Sequence, residues 1–241
     1  NRLRRLNLQG QLSDGERGRL ALNAERIRAG ETDLGALRID AEGTAERHQA
    51  ELQLQGPLLD LALAFDGGLR GEDWLGRLTR GELSAQQQDW ALQRPATLQR
   101  FADGRLEFGA HCWRSGPASL CAENQRLLPE PQISYRLRDF SLQTLADYLP
   151  EDFRWQGELN ADIELDLPAG GPNGRVRVDA GPGVLRIRDV DEWHDFPYQT
   201  LVLNSRLLPE RIDSQLRFLG GELGELDVQL QIDPRPAAKP I

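Results

Sequence analysis

Apolar residues at every second position restrict this chain more than any other feature. In Leu59-Asp60-Leu61-Ala62-Leu63-Ala64-Phe65 the large side chains fall on the odd positions. The same beat runs through Leu159-Ala161-Ile163-Leu165-Leu167 and Leu226-Val228-Leu230-Ile232. Successive side chains of an extended strand point to opposite faces, so each segment has one apolar and one wet face. A chain built from such strands must hide a large sheet face. Whether protein or another molecule covers it is the functional question.

The pattern repeats through Leu6/Leu8/Leu12, Leu20/Leu22, Leu37/Ile39/Ala41, Ala50/Leu52/Leu54, Leu106/Phe108/Ala110 and Ile133/Tyr135/Leu137. Turn residues separate these runs at Asp14-Gly15, Ala29-Gly30, Glu42-Gly43, Gly56-Pro57, Asp66-Gly67-Gly68 and Asp103-Gly104. Trp74–Leu92 is read as strand, because Gly76, Thr79 and Gly81 weaken a helix there. One stretch changes period: in Ser141–Leu149, Leu142, Leu145, Ala146 and Leu149 share one helical face. Ser141 is placed to cap this short α-helix and Pro150 to stop it, and it is expected to lie over an end of the sheet core. The resulting division is a β segment over 1–140, the helix over 141–150, a second β segment over 151–232 and a Pro-rich tail over 233–241. The echoes Gln9-Gly10, Gln55-Gly56 and Gln156-Gly157 open strand runs at irregular spacing, which is no solenoid period.

Composition narrows the function. The 241 residues carry a net charge of −9, and no basic stripe is visible, which argues against a nucleic-acid partner. No run approaches the ~20 apolar residues of a membrane-spanning helix. The chain lacks methionine altogether, which is expected of an internal fragment. Leucine dominates strands that usually favour β-branched residues: 41 Leu stand against 6 Val and 8 Ile. Codon bias explains this, since Lys239 is the only lysine; a deformable lining of long side chains is the functional alternative.

The segment HCWRSGPASLC, His111 to Cys121, is the sharpest local feature. Ser115-Gly116-Pro117 forms a natural hairpin tip, and pairing Arg114 with Ser119 sets Cys112 opposite Cys121, within disulfide reach. A structural disulfide is the leading reading and implies an oxidising compartment. Free thiols, or a metal or redox role, are the alternatives, although His111 and two thiols fall short of a zinc set. His194 lies in an acidic stretch, DVDEWHDF, that lacks the glycine and glutamate of a calcium loop. No nucleophile, phosphate-binding or metal-hydrolase motif is present, so neither enzyme activity nor a cofactor is expected.

The order of these segments carries a family resemblance. Cys112-Trp113 and Leu120-Cys121 precede Phe140-Ser141-Leu142, Leu149-Pro150-Glu151, Gly157-Glu158-Leu159-Asn160-Ala161 and GGPNGRVRVDAGPGVLRI. This succession resembles the TamB (translocation and assembly module) family within the AsmA-like group. It covers about residues 70–235 and is strongest from Cys112 to Ile187; residues 1–70 fit by pattern only. The resemblance implies an all-β fold: a long, mainly antiparallel sheet curled into an open hydrophobic groove. It also implies a periplasmic setting in a Gram-negative bacterium, with the parent protein anchored in the inner membrane. Roles in phospholipid movement and outer-membrane protein assembly follow, with the barrel protein TamA engaged through parts outside this chain.

On this reading phospholipid acyl chains are the expected partners. Leu59, Leu61, Leu63, Phe65, Leu106, Phe108, Leu159, Ile163, Leu165, Val176, Val178, Leu226, Val228 and Leu230 are the expected lining. A closed sandwich would bury the same residues between two sheets, and alternation alone does not separate the two. Two other readings compete. One is a scaffold that receives outer-membrane strands at a sheet edge, near Leu6/Leu8 or Leu226–Ile232. The other is a carbohydrate platform built from Trp74, Trp90, Trp113, Trp155 and Trp193, which serve equally as core anchors.

Overall fold

The computed structural model describes residues 5–13, 17–30, 32–85 and 88–233. The Asp14-Gly15 turn and nearly all of the expected tail lie outside these residues. The all-β expectation holds: twenty strands and one short helix make up the described chain, and the strand pairings are antiparallel. The chain divides into two compact units, Asn1–Gly116 with Arg126–Pro129, and Pro117–Gln125 with Glu130–Ile241.

The first unit is a meander. Strands β1 (Arg5–Ser13), β2 (Arg17–Ala29), β3 (Thr32–Gly43), β4 (His48–Gln55), β5 (Asp60–Arg70) and β6 (Asp73–Ala85) each pair with the next. The long β6 then serves two partners, β7 (Gln88–Leu92) at its C-terminal end and β8 (Ala96–Arg100) at its N-terminal end. Strand β9 (Leu106–Phe108) pairs with β8, and β10 (His111–Ser115) with β7. The described residues of Trp74–Leu92 are therefore strand in β6 and β7, as the glycines suggest.

Asp66-Gly67-Gly68 is not a turn; all three residues lie inside β5. Their glycines answer a packing need. A Cβ at Gly67 or at its partner Gly76 would collide with the Trp74 ring, and one at Gly68 would strike the Glu46 carbonyl. The turn comes later, at Gly71, whose φ of 64° suits glycine.

After β11 (Ala118–Ala122) comes the short β12 (Gln125–Leu128); in the second unit β11 pairs with β13 (Gln132–Ser141), and β13 with β14 (Phe153–Asp166). Strand β14 is also shared. Its C-terminal part pairs with β15 (Asn173–Asp179), and its first residues pair with β16 (Gly183–Asp189). Strand β17 (Glu192–Tyr198) completes a hairpin with β16, while β18 (Thr200–Leu208), β19 (Arg211–Gly220) and β20 (Gly224–Ile232) extend the sheet from β15. Within DVDEWHDF, Val190 and Asp191 form the hairpin turn and Glu192 onward is strand.

The expected helix is present but differs in type. Leu142–Tyr148 is a 3-10 helix, a form suited to a single short connector. Ser141 does not cap it through its side chain; its carbonyl instead accepts a 2.7 Å bond from the Thr144 hydroxyl. Among the described residues Leu142 is the one large side chain that is fully buried, and its Cδ1 packs over Gly157 of β14. The helix thus lies over sheet, as its apolar face predicts.

Three strands carry the same irregularity. In β2, β6 and β13, the pairs Ala24/Ile27, Leu78/Gly81 and Leu137/Phe140 are three residues apart, yet they oppose Leu37/Gly35, Phe65/Leu63 and Ala161/Leu159, which are two apart. Each is a β-bulge. Arg26 and Asp139 take φ of 55° within two of them, and in the third Thr79 donates its hydroxyl to the Ala64 carbonyl at 3.0 Å.

Candidate functional site

Residues directly opposite on paired strands share a face, so register converts alternation into rows. In the first unit Leu8, Leu22, Ile39, Leu52 and Leu63 form one row, which ends at Gly81 beneath the Trp113 ring. A second row joins Leu6, Ala24, Leu37, Leu54, Leu61, Leu83 and Trp90. A third joins Leu20, Ala41, Ala50, Phe65, Leu78 and Ala96. Leu106 and Phe108 reach the same face through β8 and β9. Leu59 lies just before β5, at the rim of this face.

The second unit repeats the design. Leu120, Leu137, Ala161, Val178, Leu203, Leu216 and Val228 form one row. Ala122, Tyr135, Ile163, Val176, Ser205, Ser214 and Leu230 form the next, and Ile133, Leu165, Gly174, Leu207, Ile212 and Ile232 a third. Leu159, Leu201, Phe218 and Leu226 stand one step toward the opposite end. Within each unit, then, the residues singled out from sequence fall on a common face. Leu203, Leu207, Ile212 and Leu216 belong to the face too; their own alternation in β18 and β19 marks them.

Charged residues hold the other face. Arg19–Glu42 (2.8 Å) and Arg77–Asp66 (2.7 Å) bridge neighbouring strands, as does Arg175–Glu164. Hydrogen bonds from arginine hold the Asp40 and Glu42 carboxyls below their usual range, and the same contacts raise Arg19 and Arg38. Such exposed pairs contribute little stability. Their value is to fix which face meets water. A hollow of about 840 Å³ in the second unit is walled mainly by residues of this charged face, among them Arg175, Arg177, Asn204 and Gln215.

The aliphatic rows are shielded but not sealed. None of the fourteen expected lining residues is buried: most are half-buried, and Leu226 and Leu230 remain 50% and 52% exposed. Of the described leucines only Leu78 and Leu142 are buried. Two sheets packed face to face would bury such side chains almost completely.

One corner of the second unit is closed in the ordinary way. The Trp155 indole N–H donates to the Tyr198 hydroxyl at 2.8 Å, and that hydroxyl donates to the Ala180 carbonyl. The Tyr198 ring covers Gly183, where a Cβ would collide with it, and tilts against Phe218 at 5.7 Å. Tyr198 and Ala180 are each 2% exposed. Burial raises the Tyr198 phenol above its ordinary range, against a smaller lowering by Trp155. The tryptophans divide among such roles: Trp74 donates to His48 Nε2 at 2.7 Å, and Trp193 lies beneath the Arg154 guanidinium at 4.3 Å.

Cys112 and Cys121 are disulfide-bonded, as their spacing suggested. Among the described residues no group of three or more metal-ligating side chains could hold an ion, and no helix is long and apolar enough to cross a membrane.

The described chain is thus an antiparallel all-β protein with charged residues on one face and unsealed aliphatic rows on the other. The chain is a member of the TamB family: the family described as TamB, N-terminal domain, matches residues 1–241. The resemblance carried by Cys112–Ile187 thus extends through the first seventy residues as well. No solved structure matches. Members of this family are envelope-associated modules of outer-membrane assembly or lipid transport, which is not a known enzyme family.

Proposed function

We propose that the aliphatic rows form a surface on which phospholipid acyl chains replace protein as the covering, in a segment that carries lipid from the inner toward the outer membrane. The observation behind this reading is the incomplete burial of the rows, with only two of the described leucines buried. Covering the exposed remainder favours an acyl chain by about 0.8 kcal/mol per methylene buried. The attraction has no directionality, so a chain held this way slides. The mechanism is a passive slot that needs no catalytic group or cofactor. The periplasm, inner-membrane anchoring of the parent and engagement of a TamA-type barrel elsewhere in the protein belong to the same proposal.

Photo-crosslinking residues at Leu63, Ile163 and Val228 of the full-length protein test the reading in cells. Phospholipid should be captured from these positions and not from charged-face positions Glu51 or Arg175. Capture only from the charged face would sink the slot.

The second reading, client pairing at a sheet edge, draws on the terminal strands. Strand β1 pairs with β2 and β20 with β19, and all nine residues of β20 are exposed. Crosslinks from the edge positions Gln229 and Gln231 to outer-membrane β-barrel precursors, with none to lipid from Ile163, would favour it.

A further inference from the structure

The rows of the two units differ in one chemical respect. In the three rows of the first unit described above, no side chain carries a hydroxyl. In the three rows of the second unit described above three residues do, Tyr135, Ser205 and Ser214, and register sets all three in a single row. Ser205 and Ser214 face each other across β18 and β19 with their oxygens 2.8 Å apart. Val176 and Leu230 flank them along the row. Aliphatic rows border them on both sides: Leu203/Leu216 on one and Leu207/Ile212 on the other. Consecutive same-face residues of a strand are about 6.7 Å apart, so an acyl chain over either aliphatic row lies within reach of the hydroxyls.

Cross-strand serine pairs help to hold sheets together, yet this pair has capacity left over. Each hydroxyl has one proton and two lone pairs. The Ser205–Ser214 bond uses one proton of the two, and among the described residues neither side chain has a further partner. One O–H is therefore available on an apolar face where water would be displaced by a bound hydrocarbon. A desolvated donor is costly unless an acceptor arrives with the ligand. A pure hydrocarbon chain brings none. An acyl ester brings a carbonyl oxygen directly attached to the hydrocarbon it accompanies.

We infer that the Ser205–Ser214 pair is a binding station for the ester carbonyl of a diacyl glycerophospholipid, with the acyl chains lying on the flanking aliphatic rows. This rests on the slot reading and adds selectivity to it. The first unit holds hydrocarbon without regard to linkage, whereas the second favours ester-linked cargo.

The experiment uses the full-length protein and two probes with photoreactive acyl chains: a diacyl phosphatidylglycerol and its dialkyl ether analogue, which has no ester carbonyl. Captured probe is quantified by peptide mapping in each unit. In the wild type the diacyl probe should label the second unit about fivefold more than the ether, the worth of one hydrogen bond. The first unit should take both equally. The S205A/S214A double variant, which changes neither shape nor register, should lower diacyl labelling of the second unit to the ether level and leave the first unit unchanged. Equal labelling of the second unit by both probes in the wild type, or diacyl labelling unaltered in the double variant, overturns the station. Absence of labelling by either probe in both units overturns the slot itself, so the two failures are distinguishable.

Discussion

The sheet from β1 to β5 and the corner around Tyr198 are built from the same alternating strands, yet they end in opposite conditions. Among the described residues of β1–β5 the only buried hydrophobic is Ala24. The corner buries Leu142, Ala180 and Tyr198. Alternation is equally clean in both, so it does not decide burial. A second layer does. The corner has the 3-10 helix over β14 and Tyr198 of β17 against Phe218 of β19, together with a glycine at 183 that lets the Tyr198 ring approach. Along β1–β5 no described element of the first unit plays that part. Half-covered leucine rows are what remains when a sheet face lacks its second layer.

The largest test of this contrast is Leu142→Ala. Removing this fully buried side chain should cost about 3 kcal/mol, read as a lowered urea midpoint with unchanged slope. Reduction of the Cys112–Cys121 bond comes next, at about 2.5 kcal/mol for so short a ring on the loop-entropy account. Tyr198→Phe removes the hydroxyl that links Trp155 to Ala180 and should cost about 1.5 kcal/mol.

The same tyrosine gives a pH signature. Its raised folded-state pKa means that the native corner favours the neutral phenol. The corresponding stability is fully present below the ordinary tyrosine range and is lost as pH rises through the folded value. Ultraviolet titration should find a late-ionising tyrosine in the wild type that is lost in Tyr198→Phe.

Leu63→Ala, in the open rows, should cost least. Less than about 1 kcal/mol is expected, because water already covers part of the side chain. Lipid crosslinking from its neighbour Leu61 should nevertheless fall. If Leu63→Ala destabilises as much as Leu142→Ala, the open face is not open and the contrast collapses.

Much of this was legible in the sequence. A period of two is a backbone property, so Leu59–Phe65, Leu159–Leu165 and Leu226–Ile232 announce both strand and face. The opposed cysteines follow from a tight hairpin tip. Gly67 and Gly68 were less legible, because a pair of glycines after an aspartate signals a turn equally well. Only Trp74 lying across Gly67 and the Glu46 carbonyl beside Gly68 show why they are in a strand. The helix type escaped because Leu142 and Leu145 lie three residues apart, a spacing that suits 3-10 and α geometry alike. The hydroxyl row was invisible for a different reason. Ser205, Ser214 and Tyr135 are separated by up to 79 residues, and only the register of β13–β15, β18 and β19 gathers them.

The three bulges have a consequence best put as arithmetic. In a strand, facing is a matter of parity: one residue more or less sends everything downstream to the wrong side. Ala24/Ile27, Leu78/Gly81 and Leu137/Phe140 each spend one residue without changing that parity. A chain of this kind can therefore lengthen a strand by an odd count and still present an unbroken run of leucine, provided that it can fold the surplus residue out of line. The continuity of the face across many strands depends on these places where the count is corrected, as well as on the leucines themselves.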